Sequence, residues 1–339
     1  MTTIQDDGRI GWQRYGVPVS GPMDIYSYHL ANLLVGNDRN SATLEMNLVG
    51  PELEFQTEAV IAICGSDMQA IGDDLPFPMW RPVYVPAGFR LQLGVAIQGR
   101  ISYLAIAGGG IQIEPVLGSR STSIPSSLRG LVGRALLVGD LLPISTQTKR
   151  WEGMIAQWGN DYILESSSWL TPSWFLHPSW GKHIQSSNQP RVIEVMKGNE
   201  WEQFAEQTRD QFIAGEISYA VQPQSNRMGF RLSGDPILKS HSFPMRSQAV
   251  TFGTIQVPPD GQPMILMADR QTTGGYPRLA QIVMADLPHL AQARPGEKIV
   301  FSLVDLAQAL ERWIKWKQAF LKLEKWLKMN QMIPRRNNG

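Results

Sequence analysis

The chain has 339 residues, 18% of them charged, and a net charge of only +1 at pH 7. The length predicts about two domains, and the balanced composition gives no indication of a nucleic-acid or strongly acidic partner. The charge is uneven, because residues 311–339 carry eight Lys or Arg and two Glu. Their local charge of +6 leaves −5 for the first 310 residues, so the C-terminal tail forms a separate electrostatic segment.

The N-terminal segment MTTIQDDGR lacks the basic and apolar regions of a signal peptide. No apolar run approaches the ~18 residues that a membrane span requires. The single cysteine, Cys64, ends the apolar run 59–64 and has no second cysteine to bond with. We therefore predict a cytoplasmic protein in which Cys64 is a core residue.

Short apolar segments separated by glycine and proline run through most of the chain, which has 31 Gly and 23 Pro. Each segment has the length of a β-strand and is bounded by turn residues. This pattern is typical of a β-rich sandwich or barrel and not of alternating strands and helices. The segments lie at residues 60–64, 91–93, 101–106, 135–138, 192–195, 264–267 and 299–303.

Helical patterns are limited to a few places. Residues 23–35 predict a short helix, with Pro22 suited to its first turn. Residues 200–213 predict a second helix and residues 305–329 a long third one.

The third predicted helix is amphipathic, since its large apolar residues follow one stripe and its other faces are rich in lysine. We expect the stripe to pack on a partner or on the second domain. The alternative is an anionic membrane surface, which suits a basic amphipathic helix with tryptophan. The stripe consists of Trp313, Trp316, Phe320, Leu323 and Leu327.

An internal repeat divides the chain into two halves. RIGWQRYGVP at residues 9–18 and RMGFRLSGDP at residues 227–236 share five positions in register, 218 residues apart. A Pro/Gly turn also precedes an apolar strand in both halves, at residues 86–88 and 294–296. One duplication of this length predicts two related barrels, whereas chance similarity in a chain rich in turn residues is the alternative.

The segment between the halves is rich in Ser and Pro and contains five tryptophans. A pure linker would not carry so many aromatic residues, so we expect an internal strap, with a partner contact as the alternative. The predicted domains are a first barrel at 1–150, this connecting segment at 151–189, a second barrel at 190–304 and the helical tail at 305–339.

Several familiar sites are absent from the sequence pattern. No G-x-x-x-x-G-K-[ST] occurs, so ATP, if used, is expected on another chain. The glycines at 108–110 follow a strand but precede a β-like, proline-stopped segment, which argues against dinucleotide binding. The five histidines show no metal-binding spacing, so we predict no metal site.

Two polar loops are the candidate binding elements. In residues 118–122, GSRST, backbone N–H groups, hydroxyls and the Arg120 guanidinium can converge on one anion or carboxylate. In residues 269–277, DRQTTGGYP, Asp269 can orient an arginine or accept a proton, and the two glycines allow unusual backbone conformations or close approach of a ligand. An ordinary turn is the alternative for both loops.

Seven motifs, in order, resemble the biotin-dependent carboxyltransferase family, which includes KipA, the C-type subunit of 5-oxoprolinase and allophanate hydrolase subunit 2. The resemblance runs from about residue 4 to 310. It implies an all-β fold of two tandem cyclophilin-like β-barrels, to which the sequence adds a few short helices and the C-terminal amphipathic helix. The motifs are residues 5–9, 16–24, 31–37, 42–45, 118–122, 225–229 and 269–277.

The resemblance also implies a reaction. The leading hypothesis is a subunit of an ATP-dependent 5-oxoprolinase that opens 5-oxoproline to glutamate with a KipI-like partner, the B-type component of that enzyme, and a third subunit. A second hypothesis is a carboxyltransferase subunit that moves CO2 from carboxybiotin to urea or a similar amide. A third is a non-catalytic regulatory protein that binds a KipI-like partner. No covalently bound cofactor is expected, and ATP is expected on the partner.

Both enzymatic hypotheses require donors for an oxygen that gains charge and a group that handles a proton. The predicted orienting or proton-handling groups are Asp24, Glu45 and Asp269. Each predicted arginine could instead be the structural partner of a neighbouring carboxylate. The predicted substrate-binding residues are Arg9, Ser119, Arg120, Thr122, Asn226, Arg227, Thr272, Thr273, Gly274 and Gly275.

Overall fold

The computed structural model describes residues 1–128, 130–145, 150–161, 167–177, 180, 184, 189–241, 245–330 and 332–333. The chain forms two compact units. Unit 1 comprises Met1–Gly8, Asp24–Gln185 and Ala319–Gly339. Unit 2 comprises Arg9–Met23 and Ser186–Gln318. Residues 9–23 thus belong to the same unit as the second half of the chain.

Unit 1 is built from two antiparallel sheets. The first has the strand order β1-β2-β9-β4-β7 and the second has the order β3-β8-β5-β6. The strands are β1 (Thr2–Gln5), β2 (Thr43–Asn47), β3 (Glu52–Glu54), β4 (Ala59–Asp67), β5 (Ile71–Gly72), β6 (Leu75–Pro76), β7 (Val83–Val85), β8 (Arg90–Gln92) and β9 (Gln98–Ile106). Leu44, Ile61 and Leu104 of the first sheet and Leu91 of the second belong to one buried apolar cluster.

The centre of unit 1 is buried on both faces. Residues 59–66 of β4 are all buried, because one face contacts the apolar cluster and the other packs under helix α1 (Ile25–Leu34). Cys64 is fully buried in this strand, as predicted, and burial raises the pKa of its thiol well above the usual value. The predicted helix at 23–35 is confirmed within two residues at each end.

Unit 2 contains a closed seven-stranded barrel with the order β10-β17-β14-β15-β12-β11-β18. Neighbours are antiparallel except β10 and β18, which close the barrel in parallel. The barrel strands are β10 (Arg191–Lys197), β11 (Tyr219–Val221), β12 (Gly229–Ser233), β14 (Thr254–Gln256), β15 (Met264–Leu266), β17 (Arg278–Ile282) and β18 (Lys298–Leu303), with β13 (Gln248–Ala249) and β16 (Thr273–Gly274) as a separate two-stranded ribbon. The predicted mainly-β fold is therefore confirmed.

The helices of the second half differ in part from the sequence prediction. The helix predicted at 200–213 is a 3-10 turn at Trp201–Gln203, an extended break at Phe204, and helix α3 (Glu206–Ile213). A short helix, α4 (Leu287–Ala291), was not predicted. The long helix α5 (Leu306–Met329) confirms the third prediction almost to the residue.

Only one of the two sequence matches in the predicted repeat corresponds to equivalent structure. Residues 229–233 form strand β12, whereas the matching residues 11–15 form an exposed loop with a 3-10 turn, and both copies lie in unit 2. The match between 9–18 and 227–236 is therefore wrong as a structural equivalence. The second match is confirmed, because Gly88 and Gly296 both have left-handed φ angles, of 83° and 87°, in turns that precede strands β8 and β18.

The tryptophan-rich segment packs on unit 1, as the strap prediction states. Trp169 is buried edge-on against Phe77, with ring centroids 5.6 Å apart, and Leu170 pairs with Tyr84 of β7. The segment also contains helix α2 (Glu152–Asp161), which was not predicted. Trp151 and Trp158 are buried with their ring centroids 5.7 Å apart.

Helix α5 buries much of its predicted apolar stripe, but the expected packing on the second domain is wrong for Phe320 and Leu327, which belong to unit 1. Phe320 and Leu327 are fully buried, while Trp313, Trp316 and Leu323 are half-buried. In unit 1, the Arg39 guanidinium lies 4.6 Å from the centroid of the Phe320 ring and also forms an ion pair with Glu324 at 2.7 Å. Among the described residues, no helix has the length and apolarity needed to cross a membrane.

Candidate functional site

Three loops of unit 2 meet at one end of its barrel. Strands β12 and β14 begin where their antiparallel neighbour β15 ends. The loops that precede β12 and β14 and the loop that follows β15 therefore lie at the same end of the barrel. Backbone bonds join these loops, from Met267 N to Met228 O (3.0 Å) and from Val250 N to Thr272 O (3.1 Å). We call this loop cluster, formed by residues 222–228, 250–253 and 267–273, the barrel mouth. A mouth of this kind is a common place for a small-molecule site.

A buried ion pair joins two predicted site residues at the barrel mouth. Arg227 Nε lies 2.9 Å from Asp269 Oδ2, and Arg227 Nη2 lies 3.0 Å from Asp269 Oδ1. Both side chains are at most 3% exposed. Arg227 Nη2 also donates to the carbonyl of Gly21, at 2.8 Å, which holds the segment 9–23 against the mouth. This bidentate geometry supports the alternative in which Arg227 is the structural partner of a neighbouring carboxylate and does not bind substrate. Asp269 is then the group that orients Arg227.

Arg270 is a second cation in the barrel mouth, and it is not among the predicted site residues. Its Nη1 donates to Met267 O at 3.3 Å, and its guanidinium carbon lies 5.8 Å from the centroid of the Phe252 ring. Burial lowers the pKa of Arg270 to about 10, although the charge of Asp269 opposes this shift. The only sequence signal for Arg270 is its position directly after Asp269, where an arginine would be expected to pair with that carboxylate. The sequence does not show that Arg227 already occupies both oxygens of Asp269 and leaves Arg270 without an ion pair there.

The loop 269–277 is a turn with two unengaged hydroxyls. Thr273 and Gly274 pair with the ribbon strand β13. Within the described part of the chain, the hydroxyls of Thr272 and Thr273 make no hydrogen bond, so both remain candidate donors to a ligand. Thr272 is half-buried and Thr273 is exposed.

The two glycines of this loop do not have the unusual backbone conformation predicted for them. Neither Gly274 nor Gly275 adopts a left-handed φ angle. A Cβ on Gly274 would lie 2.5 Å from Nε2 of Gln256, whereas a Cβ on Gly275 would meet only Ser247 Oγ, at 3.6 Å. Gly274 is therefore needed to make room for a buried side chain of the protein and not for a special backbone conformation.

Replacing these glycines should separate the two positions. We expect Gly274→Ala to lower the free energy of unfolding by about 1–2 kcal/mol, because Gln256 must move and its bond to Tyr276 O is strained or lost. Gly275→Ala is the matched control and should change stability by less than about 0.5 kcal/mol. Urea denaturation of both variants measures the difference, and equal stabilities would contradict the packing role of Gly274.

Two further predicted residues of unit 2 hold loops in shape. Arg9 is fully buried, and its backbone N–H donates to Val19 O at 2.7 Å, which closes the loop 9–19. Asn226 is exposed, and its Oδ1 accepts from the backbone N–H groups of Met228 (2.8 Å) and Gly229 (3.4 Å). Asn226 therefore stabilises the turn before β12, a local role that asparagine performs in many turns.

In unit 1, the loop 118–122 surrounds a carboxylate of the protein itself. Asp6 accepts from Ser119 Oγ (2.5 Å), Ser121 Oγ (2.6 Å), Arg120 N (2.5 Å) and Gly8 N (3.0 Å). The donors converge on one carboxylate, as the sequence pattern predicts, but that carboxylate is internal. Ser119 and Ser121 are thus engaged within the protein.

The other predicted members of this loop do not converge on the Asp6 carboxylate with their side chains. Arg120 Nε donates to Ile113 O at 2.7 Å. Thr122 is buried, and its Oγ1 accepts from Ile4 N at 3.3 Å. The Arg120 guanidinium therefore braces the neighbouring backbone, and Thr122 joins the loop to β1.

The remaining predicted carboxylates form a buried chain in unit 1. Asp24 caps α1, accepting from the N–H groups of Tyr26 and Ser27 and from Ser27 Oγ at 2.7 Å. The hydroxyl of Tyr103 donates to Glu45 Oε2 at 2.6 Å and accepts from Asp24 N at 2.9 Å. Burial, followed by the charges of Glu45 and Asp24, raises the pKa of Tyr103 well above its usual value.

The glycine loop 108–110 forms hydrogen bonds within the protein. The N–H of Gly109 donates to Asn37 Oδ1 and that of Gly110 to Ile106 O, so two amides of this loop are used internally. Among the described residues, no group of three His, Cys, Asp or Glu side chains is arranged to hold a metal ion.

Comparison with known proteins agrees with this architecture. Residues 15–303 match the family model of the carboxyltransferase domain, subdomain A and B. The chain is 38% identical over 311 residues to the C-type subunit of 5-oxoprolinase from Escherichia coli strain K12, and the match covers 91% of this chain and 90% of that protein. It is 33% identical over 331 residues to the urea amidolyase of Saccharomyces cerevisiae, of which it covers 17%.

A solved structure agrees with the same assignment. The urea carboxylase of Kluyveromyces lactis superposes with a TM-score of 0.82 at 29% identity, and the match covers 99% of this chain and 29% of that one. The sequence motifs, the mainly-β fold and the match over most of the chain all point to one conclusion: this protein belongs to the carboxyltransferase domain family, subdomains A and B.

Proposed function

We propose that this chain is a subunit of an ATP-dependent 5-oxoprolinase that acts together with a KipI-like subunit and a third subunit. The observation that carries the proposal is the near end-to-end match to the C-type 5-oxoprolinase subunit of Escherichia coli, with 91% of this chain aligned to 90% of that protein. In the urea amidolyase match, by contrast, the same region is 17% of a much longer chain.

The proposed reaction opens a lactam. 5-Oxoproline and water become glutamate by cleavage of the ring C–N bond, and the complex couples this step to conversion of ATP and water to ADP and phosphate. The lactam is stabilised by resonance, so a site must hold the substrate's free carboxylate and place donors where the ring oxygen gains charge. ATP supplies the driving force, and this chain contributes positioning groups.

The barrel mouth of unit 2 is the part of the chain that fits these demands. It combines buried positive charge with the two unengaged hydroxyls of Thr272 and Thr273. Asp269 holds Arg227 in place, which fixes the loop that carries the donors. Asp24 and Glu45 are hydrogen-bonded inside unit 1, so their geometry favours a positioning role over transfer of a substrate proton.

Reconstitution tests the proposal. This chain is combined with the KipI-like and third subunits from the same source and supplied with 5-oxoproline and ATP. We expect glutamate and ADP to form in equal amounts, and omission of this chain should abolish both. Formation of neither product by the complete, folded complex would reject the proposal.

A second assay addresses the carboxyltransferase alternative, which the urea amidolyase and urea carboxylase matches favour. The same complex is supplied with carboxybiotin and urea, and loss of carboxybiotin in a urea-dependent manner is measured. Binding of the KipI-like subunit without turnover in either assay would instead support the regulatory hypothesis.

A further inference from the structure

The barrel mouth contains two arginines beside one carboxylate. Both oxygens of Asp269 are occupied by Arg227, at 2.9 and 3.0 Å. Arg270 follows Asp269 directly in the chain, but within the described residues it forms no ion pair with any carboxylate. One positive charge at the mouth is therefore not balanced by a contacting acid.

The hydrogen-bonding capacity of Arg270 is also largely unused. A guanidinium has five N–H donors and no acceptor. Here Nη1 donates to the Met267 carbonyl, while the buried Nε has no hydrogen-bond acceptor among the described residues. Such a donor is costly to bury unless an acceptor arrives, and a carboxylate can accept from two guanidinium nitrogens at once.

The surroundings of Arg270 favour a small ligand with one charged end. The Phe252 ring lies 5.8 Å from the guanidinium carbon and offers an apolar surface beside the charge. The hydroxyls of Thr272 and Thr273 follow two and three residues later in the same loop. Burial brings the pKa of Arg270 down only to about 10, so the group remains a cation at neutral pH.

We propose that Arg270 binds the carboxylate of the small substrate at the barrel mouth, so that the site accepts lactams or amides that carry an acid group. The identity of that substrate as 5-oxoproline rests on the proposed function. The binding of a small carboxylate by Arg270 does not, because it follows from the geometry of unit 2.

Calorimetric titration of the complex with its partner subunits tests the proposal, with 5-oxoproline and 2-pyrrolidinone as probes. The second probe is the same lactam without the carboxylate. The wild-type complex should bind 5-oxoproline about 10- to 150-fold more tightly than 2-pyrrolidinone, which is the range of affinity that a charge-assisted hydrogen bond contributes. In Arg270→Gln this preference should fall to about one, because 5-oxoproline binding weakens and 2-pyrrolidinone binding does not.

Arg231→Gln is the matched control, since it removes the same charge from an exposed position on strand β12 of the same unit. It should leave the preference unchanged. If Arg270→Gln fails to fold, Arg270→Lys keeps the charge but not the fork of donors, and it should retain part of the preference. An unchanged preference in a folded Arg270 variant, or equal weakening of both probes, would overturn the proposal.

The two proposals fail in different ways. If the wild-type and Arg270→Gln complexes open 5-oxoproline with the same KM, Arg270 does not bind the substrate carboxylate, whereas the proposed 5-oxoprolinase function stands. A complex that shows the Arg270-dependent preference for the carboxylate but releases no glutamate would keep the binding role and reject the 5-oxoprolinase activity.

Discussion

Replacing Asp269 with alanine should lower the free energy of unfolding by about 3–5 kcal/mol, because it leaves the Arg227 guanidinium buried without its counter-charge. Both side chains of the pair are at most 3% exposed, so water cannot replace the lost carboxylate without opening the barrel mouth. Urea denaturation followed by tryptophan fluorescence measures the loss.

Two variants make this prediction specific. Asp210→Ala is the matched control, because Asp210 is an exposed aspartate on helix α3 of the same unit, and it should cost less than about 0.5 kcal/mol. The double variant Arg227→Met with Asp269→Leu should be more stable than Asp269→Ala, since it removes both charges together. If Asp269→Ala is no worse than Asp210→Ala, the pair is not a structural element of unit 2.

Asp6→Ala is expected to have an effect of similar size in unit 1, about 3–5 kcal/mol. The substitution deprives the hydroxyls of Ser119 and Ser121 and the N–H of Arg120 of a shared acceptor, and each buried donor left without one costs about 1–3 kcal/mol. Thermal and urea denaturation both report this loss.

Asp6→Asn separates the shape of this side chain from its charge. Asparagine keeps one carbonyl oxygen as an acceptor, so we expect a smaller loss than for Asp6→Ala. Glu52→Ala, an exposed acid on strand β3 of the same unit, should be nearly neutral. A loss below about 1 kcal/mol for Asp6→Ala would show that the loop 118–122 holds its shape without the carboxylate.

Much of the fold could be predicted because its signals are local. Short apolar runs between turn residues indicate strands, and the patterns at 23–35 and 305–329 predict two helices within one or two residues of their observed ends. The helix at 152–161 was missed although Trp151, Ile155 and Trp158 follow the helical spacing i, i+4, i+7, because that spacing lasts only two turns in a segment otherwise rich in Ser and Pro. The break at Phe204 was missed because the fully buried Phe204 is extended, and tertiary packing overrides the helical pattern there.

The candidate site was harder to predict because its partners are distant in sequence. The loop 118–122 has the composition of an anion-binding turn, but its acceptor, Asp6, lies 113 residues before Ser119. In the same way, Asp269 pairs with Arg227, 42 residues away. Composition identified which residues carry charge and hydroxyls, whereas only the tertiary structure shows which of these groups are already occupied.

The bond between Arg227 and the Gly21 carbonyl has a consequence for synthesis of the chain on the ribosome. These two residues are 206 positions apart, and the segment 9–23 belongs to unit 2. At translation rates of ~5–20 residues per second, roughly 10–40 s pass between the synthesis of Gly21 and that of Arg227. Strand β18, which closes the barrel in parallel with β10, is made later still. Unit 2 therefore completes its fold only after β18 has been made, and until then the segment 9–23, with the apolar side chains of Ile10 and Tyr15, lacks its partners and is open to a nascent-chain chaperone.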